Sequence, residues 1–141
     1  MTTAEQLQFC ERLDNLRKII SDKALLDNNS SLVQDHEWGG ADLIITTDSN
    51  RKRWETDTFV VVEDIKPILW LMHELRELYN ENGTSESKYT YYPYIGESIN
   101  EVITNGCNDT TSILIAMIEA ARNWAMVKAE SNRKTLVAHI E

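Results

Sequence analysis

Apolar residues recur at helical spacing from the start of the chain. Phe9, Leu13, Leu16 and Ile20 fall on one face, and Glu11, Arg12, Asp14, Arg17 and Lys18 occupy the other. Thr3 followed by Gln6 reads as a capping box. These features predict an amphipathic first helix that ends near the polar stretch Asp27-Asn28-Asn29-Ser30-Ser31. From Leu32 to Val62 the period becomes strand-like. Leu32 to Trp38 reads as a first strand and Gly39-Gly40 as a turn. Asp42 to Thr47 is apolar and β-branched, Asp48-Ser49-Asn50 has turn chemistry, and Thr58 to Val62 reads as a third strand. The connections look too short for parallel crossovers, so an antiparallel meander is expected.

Asp64 is placed to cap a second helix, with Pro67 tolerated in its first turn. Ile65, Ile68, Leu69, Met72, Leu75 and Tyr79 form its expected core stripe. Trp70 and Leu71 make it apolar on nearly every side, which predicts a central helix. A polar loop follows from Asn80 to Lys88. Tyr89, Tyr91, Tyr92 and Tyr94 around Pro93 read as either a short edge strand or an extended segment, because proline cannot donate in a central ladder. Glu97 to Thr104 reads as a short helix stopped by Asn105-Gly106. The last long helix starts near Asp109 or Thr110, with Ile113, Leu114, Met117, Ala121, Trp124 and Val127 on its core side. Lys134 to Ile140 reads as a final short strand or a frayed end. The expected fold is α+β in one domain, residues 1–141. Its order is N-terminal helix, three-stranded antiparallel meander, central apolar helix, short edge strand and long C-terminal helix.

Composition adds bounds. The 141 residues suffice for one core without staples, and 42% hydrophobic content with four tryptophans argues for a packed globule. Cys10 and Cys107 lack metal-ligand spacing, and no signal peptide is recognisable. Both therefore read as buried thiols of a reducing, cytoplasmic setting. No apolar run approaches the roughly 20 residues that span a bilayer. With 23 acidic against 14 basic side chains, the formal net charge is -9. That balance opposes general nucleic-acid binding, which gains from Lys and Arg at phosphates. It suits a protein partner with a basic surface, and it also keeps a protein soluble. A homo-oligomer is compatible with all of this.

Several side-chain groups are candidate sites. Arg51-Lys52-Arg53 precedes Trp54, a cationic cluster in an acidic chain. Its arginines suit phosphates or carboxylates, and Trp54 suits stacking or an interface anchor. The alternative is a solvated turn with Trp54 packed on the sheet. Tyr91 and Tyr94 suit an interface equally with a half-buried strand. Asp35-His36-Glu37 and His73-Glu74 offer metal-capable groups, yet no helical His-x-x-x-His pair accompanies them, and His139 lies near the terminus. No phosphate-binding loop, dinucleotide fingerprint or nucleophile elbow is present. Cys107 has no base that sequence can place beside it.

Gly-Ala-Asp-Leu-Ile-Ile around Asp42, with Val-Val-Val-Glu-Asp-Ile-Lys-Pro ending in Asp64 and Lys66, resembles the core of the PD-(D/E)XK nuclease superfamily. The resemblance covers residues 39–67, and a preceding helix carrying Glu11 fits the family order. It implies that Asp42 and Asp64 would hold Mg²⁺ while Lys66 orients water or steadies developing charge. Asp64 stands where glutamate is commoner, and helix-like sequence begins directly after Lys66. Read structurally instead, these are polar residues at strand ends, with Asp64 as a cap.

The first half also resembles small phage accessory proteins of the Ead-like type. Asp57-Thr58-Phe59-Val60, followed by Ile68-Leu69, Leu75 and Leu78, carries that likeness. It implies an accessory protein of a mobile element and transfers no binding residue. The leading expectation is a non-enzymatic acidic binding protein that inhibits or sequesters a host factor, without a cofactor. Immunity-type proteins share that physics. The alternatives are a metal-dependent nuclease, or an inactive relative, and a sponge for small nucleotide signals held by Arg51 or Arg53.

Overall fold

The computed structural model describes residues 2–40, 43–50, 58–82, 99 and 109–140. These are mostly helical. In chain order they form α1 (Thr3–Ser21), α2 (Lys23–Ser30), β1 (Trp38–Gly40), β2 (Leu43–Thr46), β3 (Thr58–Val61), α3 (Lys66–Asn82) and α4 (Thr110–Ile140). Four helices around a very small sheet replace the expected α+β arrangement with its three-stranded antiparallel meander.

The sheet carries the main correction. Its order is β1-β2-β3, with β1 antiparallel to β2 but β2 parallel to β3. Leu43 pairs with Thr58 and Thr46 with Val61. A parallel return normally needs a crossover of about a dozen residues. Here β2 ends at Thr46 and β3 begins at Thr58, leaving eleven residues between them. A four-residue strand is only about 13 Å long, and eleven residues reach about 36 Å. Strand length sets the return distance, so short strands make a short crossover sufficient. The expected turn chemistry is real but local: Asp48 N–H donates to Thr46 Oγ1 (3.1 Å), and Asn50 N–H donates to Asp48 Oδ1 (2.9 Å). Those bonds shape the exit from β2 without closing a hairpin.

Strand boundaries also move. Residues 32–37 are not a strand, and Gly39-Gly40 lies inside β1 rather than forming a turn. Ile45, Val60 and Val62 are buried while Val61 is exposed, so one face of the sheet meets the core.

The first helical stretch is divided at Asp22. Thr2, not Thr3, caps α1, its hydroxyl accepting from Glu5 N–H at 3.1 Å. Asp22 is extended (φ -111°, ψ 109°); its own N–H donates to the Ile19 carbonyl. Its carboxylate accepts from Ala24 and Leu25 N–H at 3.0 and 3.3 Å. One residue ends α1 and starts α2, an example of an aspartate side chain competing with helical bonds.

The core lies among the helices. α3 packs against α1, α2 and α4, and α1 against α4. Each of the three longest helices contributes one ring to a central cluster. Phe9 meets Tyr79 edge-on (5.5 Å, 79°), and Tyr79 meets Trp124 (4.3 Å, 63°). Phe9 lies 5.6 Å from Trp124. Ala116, Ala120, Ala121 and Ala125 are buried on α4, and their small size allows close helix approach. Ile99 is buried in the same core. Val127, expected on the core side, is 51% exposed. Of the expected α3 stripe, Ile65, Ile68, Leu75 and Tyr79 are buried, with Leu71 and Leu78 beside them, whereas Leu69 and Met72 are half-buried. Residues 134–140 continue α4 rather than forming a strand. Cys10 is a half-buried free thiol. Among the described residues, no helix is long and apolar enough to cross a membrane.

Candidate functional site

Two grooves flank α3, and their chemistry differs. The first has a volume of about 740 Å³ and lies where α1 and α2 meet the starts of α3 and α4. Ile20, Leu26 and Pro67 give it apolar lining, while Asp27, Glu63, Asp64 and Lys23 supply charge. Asp27, Glu63 and Asp64 are all exposed.

Local bonding fixes this end of the molecule. Asp64 Oδ1 accepts from Lys66 N–H at 3.1 Å, and the Ile65 carbonyl accepts the first helical bond of α3 from Leu69. Asp64 therefore shapes the entry to α3 from one residue before the cap. Across the groove, Asp109 caps α4. Its carboxylate accepts from Ser112 N–H (3.0 Å) and from the Ser112 hydroxyl (2.8 and 2.9 Å). The Ser112 backbone bond, with the hydroxyl bond behind it, holds the Asp109 carboxyl below its ordinary value of 3.8. Thr110 Oγ1 donates to the Asp64 carbonyl at 3.5 Å, linking the two helix starts.

The second groove, about 420 Å³, lies between α3 and the segment leading into β1. Leu69, Met72, His73 and Arg76 line it from α3. Their spacing of three, four and seven residues forms one helical stripe. Trp70 also lines it from α3, and Val33, His36 and Trp38 line it from the other side. His36, His73 and Arg76 are exposed, Trp38 is half-buried and Trp70 is buried. His36 Nδ1 lies 3.1 Å from the Gln34 carbonyl oxygen. A carbonyl can only accept, so Nδ1 carries the hydrogen and Nε2 is not engaged by that bond.

Of the residues singled out from sequence, Asp64 and Lys66 fall among those described, as do Glu11, His36 and His73. Asp42, Arg51, Lys52, Arg53, Trp54, Tyr91 and Tyr94 lie outside them. In a hairpin, the start of β2 and the end of β3 share one edge. In this parallel pair, Leu43 sits beside Thr58, and Asp64 follows Val61 at the other end. Those ends are about 10 Å apart by strand rise. Asp64 also spends a lone pair on its own helix. No catalytic step is derived through the Mg²⁺ donor set, whose Asp42 lies outside the described residues. Among the described residues, no group of three His, Cys, Asp or Glu side chains is placed to hold a metal.

Sequence reasoning missed the second groove. It weighed His36 and His73 as metal ligands, assigned Leu69, Trp70 and Met72 to the helix core, and passed over Arg76. The stripe from Leu69 to Arg76 was the available signal. No protein-family model matches this chain, nor does any curated protein or solved structure.

Proposed function

We propose that this chain is a non-enzymatic acidic binding protein that occupies the surface of a protein partner rich in basic residues. The observation that supports this reading is the first groove, where Asp27, Glu63 and Asp64 surround an apolar floor against the single Lys23. Such a site receives the Lys or Arg side chains of a partner and covers their aliphatic stems. The net charge of -9 would steer a basic partner toward it from a distance. Arg51, Lys52, Arg53 and Trp54 supply a second contact in the same proposal. The setting is an accessory role in a phage or mobile element, where the protein inhibits or sequesters a host factor.

The test is retention of a partner from host lysate by the full chain, followed by purified binding measurements. The triple variant Asp27→Lys, Glu63→Lys, Asp64→Lys should lose the partner, and raised salt should weaken wild-type retention. A partner held equally by the triple variant, by Arg53→Glu and by Trp54→Ala would remove the proposal. So would turnover of any substrate by the isolated chain that disappears on deletion of one carboxylate.

A further inference from the structure

The second groove has a composition the acidic surface does not explain. Arg76 is permanently charged, and His36 and His73 add two imidazoles, whereas among the described residues no carboxylate lines the groove. Carboxylates adjoin these residues in sequence. Glu74, next to His73, lines a separate hollow of about 140 Å³ with Arg12 and Asn15. Asp35 and Glu37 flank His36 and are not among the groove's lining residues. The helical period thus sorts α3, turning His73 and Arg76 to one side and Glu74 to another.

Beside these donors are two indole rings, one half-buried on β1 and one buried on α3. Indole offers a broad flat surface that accepts another ring, and the neighbouring Leu69 and Met72 exclude water from its edge. The volume of about 420 Å³ lies within the usual range for small-ligand sites. A protein partner's basic side chain would be repelled here, so this groove does not continue the first one.

We infer that the groove between β1 and α3 binds a small planar aromatic ring that carries an anionic group. Arg76 pairs with the anion, His73 donates to it, His36 lies beside it, and Trp38 covers the ring. Phosphate and carboxylate share this chemistry, so the anion can come from a nucleoside monophosphate or from an aromatic acid. Neither Arg51 nor Arg53 is needed.

Tryptophan fluorescence and calorimetric titration of the full chain test this with four probes. AMP and indole-3-acetate carry both ring and charge, adenosine the ring alone, and inorganic phosphate the charge alone. The expected result is saturable sub-millimolar binding of AMP, of indole-3-acetate or of both. Adenosine and phosphate should bind weaker by on the order of tenfold. AMP alone assigns the phosphate source, and indole-3-acetate alone assigns the carboxylate. Arg76→Glu, at an exposed position, should weaken binding by on the order of tenfold or more. Trp38→Ala should weaken it as well, while Asp64→Asn in the other groove leaves it unchanged. Melting curves like wild type establish that each variant is folded. Absence of saturable binding of both anionic ring compounds at millimolar concentration overturns the inference. Binding that persists unchanged in folded Arg76→Glu and His73→Glu does the same, as does phosphate binding as tight as AMP.

Discussion

The two grooves share α3 as a wall, yet one gathers carboxylates and the other gathers an arginine and two imidazoles. At the head of the helix, Asp27, Glu63 and Asp64 come from α2 and the segment after β3. Along its middle, His73 and Arg76 meet His36 from the segment before β1. An average over the chain would make every surface negative. The contrast instead shows that local potential follows which segments fold together. Net charge governs approach from a distance, and side chains within a few ångströms decide what is held.

The comparison can be broken at its foundation. Phe9→Ala removes the ring that ties α1 to α3 and α4, and should cost about 3–5 kcal/mol in urea unfolding. Because α3 lines both grooves, this variant should lose both binding activities together. Survival of either one at full strength would show that the two sites do not depend on one core.

Charge reversal gives the next largest effect and separates the grooves. Arg76→Glu should cost about 1.4 kcal/mol or more in organic-anion binding, equivalent to a tenfold loss, and leave basic-partner retention intact. Asp64→Lys should show the opposite pattern. Calorimetry of both variants against both ligands reads the cross-terms, and matching losses in the two assays would merge the sites into one.

At the rim of the acidic groove, Asp109→Ala should destabilise by about 1 kcal/mol through loss of the α4 cap. The Asp109 carboxyl is held below its ordinary value by Ser112, so its charge stabilises the folded form. The sign follows from linkage. That contribution is complete above the ordinary carboxylate range near pH 4 and declines as pH falls through the lowered folded value. The stability gap between wild type and variant should therefore narrow below about pH 4. Thermal melts from pH 7 to pH 2 measure it, and a gap that widens on acidification would contradict the assignment.

The smallest effect belongs to the Arg122–Asp14 ion pair, whose side chains are 38% and 56% exposed. Asp14→Ala should change stability by less than about 1 kcal/mol and affect neither groove. It serves as the control for changes of net charge. A large loss of partner binding in this variant would mean that long-range steering outweighs the groove itself.

Much of the helical framework was legible from periodicity. Phe9, Leu13, Leu16 and Ile20 are all buried, as their spacing required, and Ile113, Leu114, Met117, Ala121 and Trp124 are buried on α4. Pro67 sits in the first turn of α3, where its missing N–H costs little. Leu25 and Leu26 fall out of phase with the Phe9 to Ile20 stripe, and that shift was the signal of the break at Asp22. The direction of β3 was hidden, since β-branched residues favour a strand without saying which neighbour it joins or in which sense.

The candidate sites were less legible for the same reason. His36 and His73 are visible as residues but are far apart in sequence, so only the packing of the β1 approach against α3 makes them neighbours. Asp64 was identified with both of its readings, and its bond to Lys66 N–H matches the polar, helix-starting one.

What the order of residues determined by itself is local: where helices form, which faces are apolar, which side chains end or begin a turn. Those outcomes depend on interactions within a few residues, which spacing and side-chain chemistry express directly. Only tertiary structure decided the parallel sense of β2 and β3. It also decided that an acidic chain has a basic aromatic groove, because a groove's charge is set by segments distant in sequence that the core draws together.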